Sequence, residues 1–298
     1  MKLYKYTTIN DNLFDMLIKE YFYCSDAIHF DDVFDGKIPF ENISKDKITD
    51  LEIKNILNEE IQNLVSIRGK ITCSESNEIK IDLNTPIEES YEDDEDYMAN
   101  LEPCPEELEM AATISNASTI LFSKENFEKI KKFILYLIEK QNKMKICCFT
   151  KNVDNQVLWS MYANQFDGVC IEYEINDSET KFFHDVFYGS RFDYDPLYYL
   201  INCILNKKEV KEQDVYDIAN KLMLCKNNDW SFQKEVRYFS KQNIRPCKIS
   251  CLYIGYKVSK KYEELLTKIV NDKFPIRRMV VDYWNQTYKF RTINQHYV

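Results

Sequence analysis

Turns between strands draw heavily on glycine and proline, and this chain has only five glycines and seven prolines in 298 residues. A β-sandwich or propeller needs a turn every several residues, so this scarcity argues against both and favours helices with a modest number of strands. The length suffices for one large or two ordinary domains, either with a substantial core.

Charge narrows the function classes. The formal net charge is -10, and much of it lies between Glu88 and Glu109, a polar stretch read as solvated surface or a partner-docking segment. A general attraction to nucleic acid or to an anionic membrane is therefore not expected, although a local basic groove is compatible with these numbers. The ten cysteines form no paired C-x-x-C clusters, and the three histidines, His29, His184 and His296, are scattered. Structural zinc is not expected, and the thiols read as reduced and buried, in a cytoplasmic protein. No basic start leads into an apolar run, so neither a signal peptide nor a membrane span is expected.

Periodicity supplies the elements. A β-prone opening, Leu3 to Thr7, precedes a helix over Leu13 to Ile18 capped by the Asn10 to Asn12 cluster, and Tyr21 to Cys24 reads as a strand. Apolar residues at helical spacing run from about Lys45 to Ile67. Pro105 and the acids after it suit a helix start leading to Leu121, and Ser123 caps another helix that ends before Met144. Lys145 to Thr150 reads as a buried strand, Asp154 or Asn155 caps a short helix through Trp159 and Tyr162, and Val169 to Tyr173 is a strand after Gly168. Phe182 to Tyr188 reads as a strand, and helices follow at Pro196 to Asn206 and about Glu209 to Cys225. Strands at Cys251 to Gly255 and Met279 to Tyr283 flank a helix from Ser259 to Asp272. The pattern is α+β, a single domain over 1–298 with a helical, acidic insertion at about 37–144.

One run carries unexpected polarity. Trp230 to Phe239, read as a strand, places Gln233, Glu235 and Arg237 on one face and Phe232, Lys234, Val236 and Tyr238 on the other. The polar face is either the solvated side or the wall of a cleft in which a carboxylate sits between an amide and a guanidinium. Aromatic and polar residues also meet at Tyr4-Lys5-Tyr6, at Phe149-Thr150 and at Trp159 to Tyr162, a composition that suits either an aromatic core or stacking against a planar ring. No glycine-rich nucleotide loop is present. Asp31, Asp32 and Asp35 form either a hard-cation site or a set of turn caps. Cys147 and Cys148 read as inert core thiols.

Together, Tyr4-Lys5-Tyr6, Phe30 to Asp35, Cys148-Phe149-Thr150, Leu158 to Ala163, Gly168 to Tyr173 and Trp230 to Arg237 resemble the bacterial family called domain of unknown function 2971. Thr7 stands where that family has Arg, and Lys5 is the cation left on this strand. More loosely, the layout resembles ADP-ribosyltransferases, including toxins of toxin-antitoxin systems, which implies a mixed or antiparallel sheet core of that type. The likeness implies an enzyme that transfers ADP-ribose from NAD to a macromolecule, nucleic acid or protein, as a toxin or antiphage effector restrained by an antitoxin or regulatory protein. It makes Glu235 the catalytic carboxylate and Gln233 the acceptor-orienting group. Tyr4, Lys5, Tyr6, Phe149, Thr150, Trp159, Tyr162 and Arg237 become contacts or supports for NAD, with no metal required. The alternative is a non-enzymatic module that binds a nucleotide or peptide.

Overall fold

The computed structural model describes residues 1–26, 30, 49–62, 71–73, 79–81, 105–189 and 196–293. In chain order the elements are β1 (Lys2–Thr7), α1 (Asp11–Lys19), β2 (Tyr21–Tyr23), β3 (Ser25–Asp26), α2 (Asp50–Gln62), β4 (Ile71–Cys73), β5 (Ile79–Ile81), α3 (Pro105–Leu121), α4 (Lys124–Lys143) and β6 (Lys145–Thr150). There follow α5 (Gln156–Tyr162), β7 (Val169–Glu174), β8 (Phe183–Asp185), β9 (Phe187–Tyr188), α6 (Pro196–Leu205), α7 (Glu212–Leu222), β10 (Cys225–Lys226), β11 (Glu235–Ser240), β12 (Ile244–Pro246), β13 (Ile249–Ile254), α8 (Lys260–Val270), β14 (Ile276–Asp282) and β15 (Thr287–Thr292). Backbone contacts divide the chain into two units. One comprises Met1–Lys37, Gln141–Arg191 and Met223–Val298, the other Ile38–Lys140 and Phe192–Leu222.

The first unit is built on a nine-stranded sheet in the order β15-β14-β13-β7-β1-β6-β11-β8, with β3 also paired to β6. All pairings are antiparallel except β13 with β14, so the class is α+β with a mixed sheet. Alternation sends Leu3, Phe149, Ile171 and Leu252 to one face, where α1 (Leu13, Leu17) and α8 (Leu266, Val270) close an apolar core. The opposite face carries Tyr6, Cys170 and Tyr253 under Leu158 and Trp159 of α5. Local signals fix these helices. Asn10 accepts from the Leu13 N–H, Asn155 from Val157 and Leu158, and Ser259 from Tyr262, each satisfying amides that the first helical turn leaves unpaired.

The second unit is mainly helical. Ile53, Leu57 and Ile61 of α2, Ile130, Ile134 and Leu137 of α4, and Leu197, Leu200, Ile201 and Ile204 of α6 share one core, with the β4/β5 hairpin as its only sheet among the described residues.

Strands are more numerous than the glycine content implies, and the backbone gives the reason. Nine non-glycine residues among those described adopt positive φ, including Glu20, Lys207, Lys234, Asn271 and Gln286. Left-handed turns that usually use glycine are made here by other residues at a steric cost. Glycine is kept where chains nearly touch. A Cβ on Gly168 would lie 2.6 Å from the Thr7 carbonyl oxygen, and one on Gly255 would lie 2.1 Å from that of Phe166.

Two expected elements differ. Residues 228–233 form a 3-10 turn, and Lys234, at φ 45°, reverses the chain before the strand starts at Glu235. Phe182 to Tyr188 is likewise divided between a 3-10 turn, β8 and β9. Of the acidic run, residues 88–104 lie outside the described residues, as do Asp31, Asp32 and Asp35.

Candidate functional site

The central sheet opens between β1 and β6. On its other side β1 matches β7 over six register pairs, and β6 matches β11 over six, but β1 and β6 meet at one pair, Tyr4 with Thr150. Further along the same edge of β6, β3 pairs with Lys145 and Ile146. Between these two pairings the Cys148 carbonyl accepts a bond from Lys5 Nζ at 3.2 Å. A cavity of about 260 Å³ lies at this opening.

Residues from well-separated parts of the chain converge on it. Tyr4, Lys5 and Tyr6 come from β1, Phe149 and Thr150 from β6, Tyr162 from α5, and Gln233 and Glu235 from the turn into β11. The Asn155 amide ties the α5 cap to the carbonyl of Phe232 at 2.7 Å, and the Thr150 hydroxyl donates to the Gln233 carbonyl at 2.6 Å. These bonds hold the turn against the sheet, so Gln233 and Glu235 reach one cavity although Gln233 is not in the strand.

Arg237 and Trp159 do not line the cavity. Arg237 shares the Glu235 face but is fully buried, with Nε donating to Glu235 Oε1 at 2.6 Å and a terminal nitrogen donating to the Met223 carbonyl at 2.5 Å. Trp159 is also fully buried. Its indole N–H donates to the Val153 carbonyl at 2.7 Å and its ring meets Tyr6 edge-on.

Lys226 was not expected from the sequence. It stands on β10, a two-residue strand parallel to β9, and only 6% of it is exposed. Its ammonium donates to Gln233 Oε1 at 2.8 Å and to Glu235 Oε2 at 3.0 Å, and lies 5.1 Å from the centre of the Trp230 ring. Gln233 Nε2 in turn donates to the Tyr162 hydroxyl at 3.1 Å, and the Tyr188 hydroxyl accepts the Glu235 N–H at 2.7 Å. Cys148 corrects the sequence expectation. Rather than a core thiol, it is half-buried, lines the cavity and reaches the Glu235 carboxylate. The continuous apolar run hid the fact that only Cys147 faces the core.

Burial pushes the Glu235 carboxyl up, but the Arg237 guanidinium and the Lys226 ammonium outweigh it and hold the group at about 2. Glu235 is therefore a carboxylate at neutral pH. Counting Lys5, Lys226, Arg237 and Glu235, the fixed charge around the cavity is positive in a chain of negative net charge.

Four strands carry one lateral row, Glu235, Thr150, Tyr4 and Glu172. Glu172 accepts from Ser250 at 2.6 Å and Tyr253 at 2.9 Å and pairs with Lys2 at 2.7 Å. Burial and then the Glu172 charge raise the Tyr4 phenol to about 12, so it remains a hydrogen-bond donor.

Among the described residues there is no group of three His, Cys, Asp or Glu arranged to hold a metal, and no helix long and apolar enough to cross a membrane. Residues 158–238 match the model of a family described as a protein of unknown function (DUF2971). That stretch carries Tyr162, Lys226, Gln233, Glu235 and Arg237, whereas Tyr4 to Tyr6 and Thr150 lie outside it. No match was found among curated proteins or solved structures.

Proposed function

We propose that this cavity is the reaction centre of an NAD-dependent ADP-ribosyltransferase acting on a macromolecular acceptor, nucleic acid or protein. The observation that carries the reading is the meeting of Tyr4, Tyr162 and Glu235 in one cavity from three distant segments. The volume lies below the about 300–1,000 Å³ of common ligand sites, so it takes the nicotinamide and its ribose while the adenylate half extends through the open mouth. The aromatic rings of Tyr4, Tyr6 and Tyr162 offer surfaces for the nicotinamide, and the surplus positive charge suits the pyrophosphate.

In the reaction, the bond from the anomeric carbon to the nicotinamide nitrogen breaks and its electron pair leaves with nicotinamide. An acceptor nucleophile bonds to that carbon and releases its proton to solvent. Positive charge develops at the anomeric carbon, and an ionised carboxylate fixed beside it stabilises the transition state more than the ground state. Glu235 fits that role because its pairing keeps it charged. Lys226 exchanges its bond to Glu235 for the substrate's phosphates, freeing Oε2 to face the ribose, and Gln233 orients the acceptor.

The test is nicotinamide release from NAD by wild type and Glu235→Gln in the presence of RNA, DNA and protein acceptors. The reading requires release by wild type and its loss in the variant. No release from any mixture, or equal release from both proteins, would overturn it. Growth arrest on expressing wild type but not Glu235→Gln in a bacterial host would support action as a toxin.

One observation favours a second reading. Both Glu235 oxygens are already paired, as in a structural ion cluster, which suits a module that binds a nucleotide without chemistry. A melting temperature raised by NAD equally in wild type and Glu235→Gln, with no nicotinamide released, would establish binding alone.

A further inference from the structure

The helical unit holds a larger cavity of its own, about 830 Å³, within the range of sites that enclose small organic ligands. Its floor is apolar, with Phe133 from α4 and Leu200, Cys203 and Ile204 from α6. Its rim is cationic, with Lys129 and Lys132 one turn apart on α4 and Lys207 and Lys208 just beyond α6. Glu209 is the acidic side chain among its lining residues.

The chain holds the second lysine pair there by a defined turn. Lys207 takes a left-handed conformation, φ 53°, and the Lys207 and Lys208 amides cap the Ile204 and Cys203 carbonyls at 3.2 and 2.8 Å. A helix C-terminus attracts cations, which accounts for Lys207 and Lys208 in part. It does not account for Lys129 and Lys132, which stand in the first half of a twenty-residue helix. Lys129 pairs with Glu125 at 2.7 Å, whereas Lys132, Lys207 and Lys208 have no carboxylate within ion-pairing distance among the described residues.

We propose that this cavity binds a free single-chain amphiphile with an anionic head, such as a medium-chain carboxylate. The alkyl chain lies on the Phe133, Leu200 and Ile204 floor, and the head is held at the rim by Lys132, Lys207 and Lys208. Burial of the chain supplies most of the affinity and the lysines supply the selectivity for an anion. The apolar surface is concave, unlike the exposed flat face of a helix that lies on a bilayer, which argues for a soluble ligand over a membrane surface.

The test is isothermal titration of the full chain with dodecanoate and with dodecanol, both below their aggregation concentrations. It is repeated on a Lys132→Glu/Lys207→Glu/Lys208→Glu variant whose circular dichroism matches wild type. Dodecanoate should bind at one site, with dodecanol about tenfold weaker, and the variant should lose about tenfold or more for dodecanoate alone. Absence of saturable dodecanoate binding, equal binding of acid and alcohol, or undiminished binding to the variant would each overturn the proposal. So would capture by anionic phospholipid vesicles in preference to free dodecanoate.

Discussion

Glu235 and Glu172 lie in one row of the sheet, three strands apart, which is about 14 Å by strand spacing. Both are almost wholly buried. Glu172 is held by two neutral donors, the Ser250 and Tyr253 hydroxyls, and by a single ammonium, that of Lys2, whose side chain is 61% exposed. Glu235 sits between two cations that are themselves buried, and it borders a cavity where the sheet opens. A buried carboxylate can be made comfortable with hydroxyls, as Glu172 is. Two buried cations hold a full negative charge on Glu235 beside the cavity, and it is to this carboxylate, not to Glu172, that the proposed function gives the reactive role.

The largest expected break in the comparison is in stability. Arg237→Met leaves Glu235 and the Met223 carbonyl without their guanidinium and should cost about 3–5 kcal/mol, whereas Lys2→Met, at an exposed pair, should cost about 1 kcal/mol or less. Urea denaturation of both variants measures this. Equal losses would make the two sites equivalent.

Acid sharpens the same contrast. A carboxyl whose folded value is depressed contributes stability that is complete above its ordinary value and is lost as pH falls through the folded one. The Glu235 share should therefore disappear between 4.5 and about 2. Subtracting a Glu235→Gln unfolding curve from the wild-type curve over that range isolates it. A flat difference would contradict the ion-pair account.

Much of this architecture was legible. The caps at Asn10, Asn155 and Ser259 and the strands around Val169 and Cys251 follow from local chemistry, and Glu235 stood out as a charge in an apolar run. Lys226 was not legible, because its strand is two residues long and its place depends on a partner, β9, far away in sequence. The break at Lys234 was hidden as well. A left-handed lysine has no signal in an alternating pattern, so residues 230–234 read as part of the strand. β15 did carry the alternation of a strand with one wet face, in Tyr288 and Phe290, but over only two apolar positions, too short a run to stand out from a polar C-terminal stretch.

Smaller effects belong to single hydroxyls. Tyr253→Phe removes one bond to Glu172 and should cost about 1 kcal/mol without altering NAD binding. Tyr162→Phe removes the acceptor of the Gln233 amide, should cost a similar amount, and should weaken NAD binding in titration. Among the thiols, Cys148 by the cavity should react with iodoacetamide in the folded protein and be shielded by NAD, while the fully buried Cys170, two residues from Glu172, stays unmodified. Mass spectrometry of the alkylated peptides distinguishes the two.

The most direct measurement is nicotinamide release by wild type, Glu235→Gln and Glu172→Gln, each checked for native circular dichroism and assayed with the same NAD and acceptor. If Glu235 is the reactive carboxylate and Glu172 a structural one, Glu235→Gln should lose about 100-fold or more, while Glu172→Gln stays within a few-fold of wild type. Equal losses in both variants, or retained activity in Glu235→Gln, would contradict it.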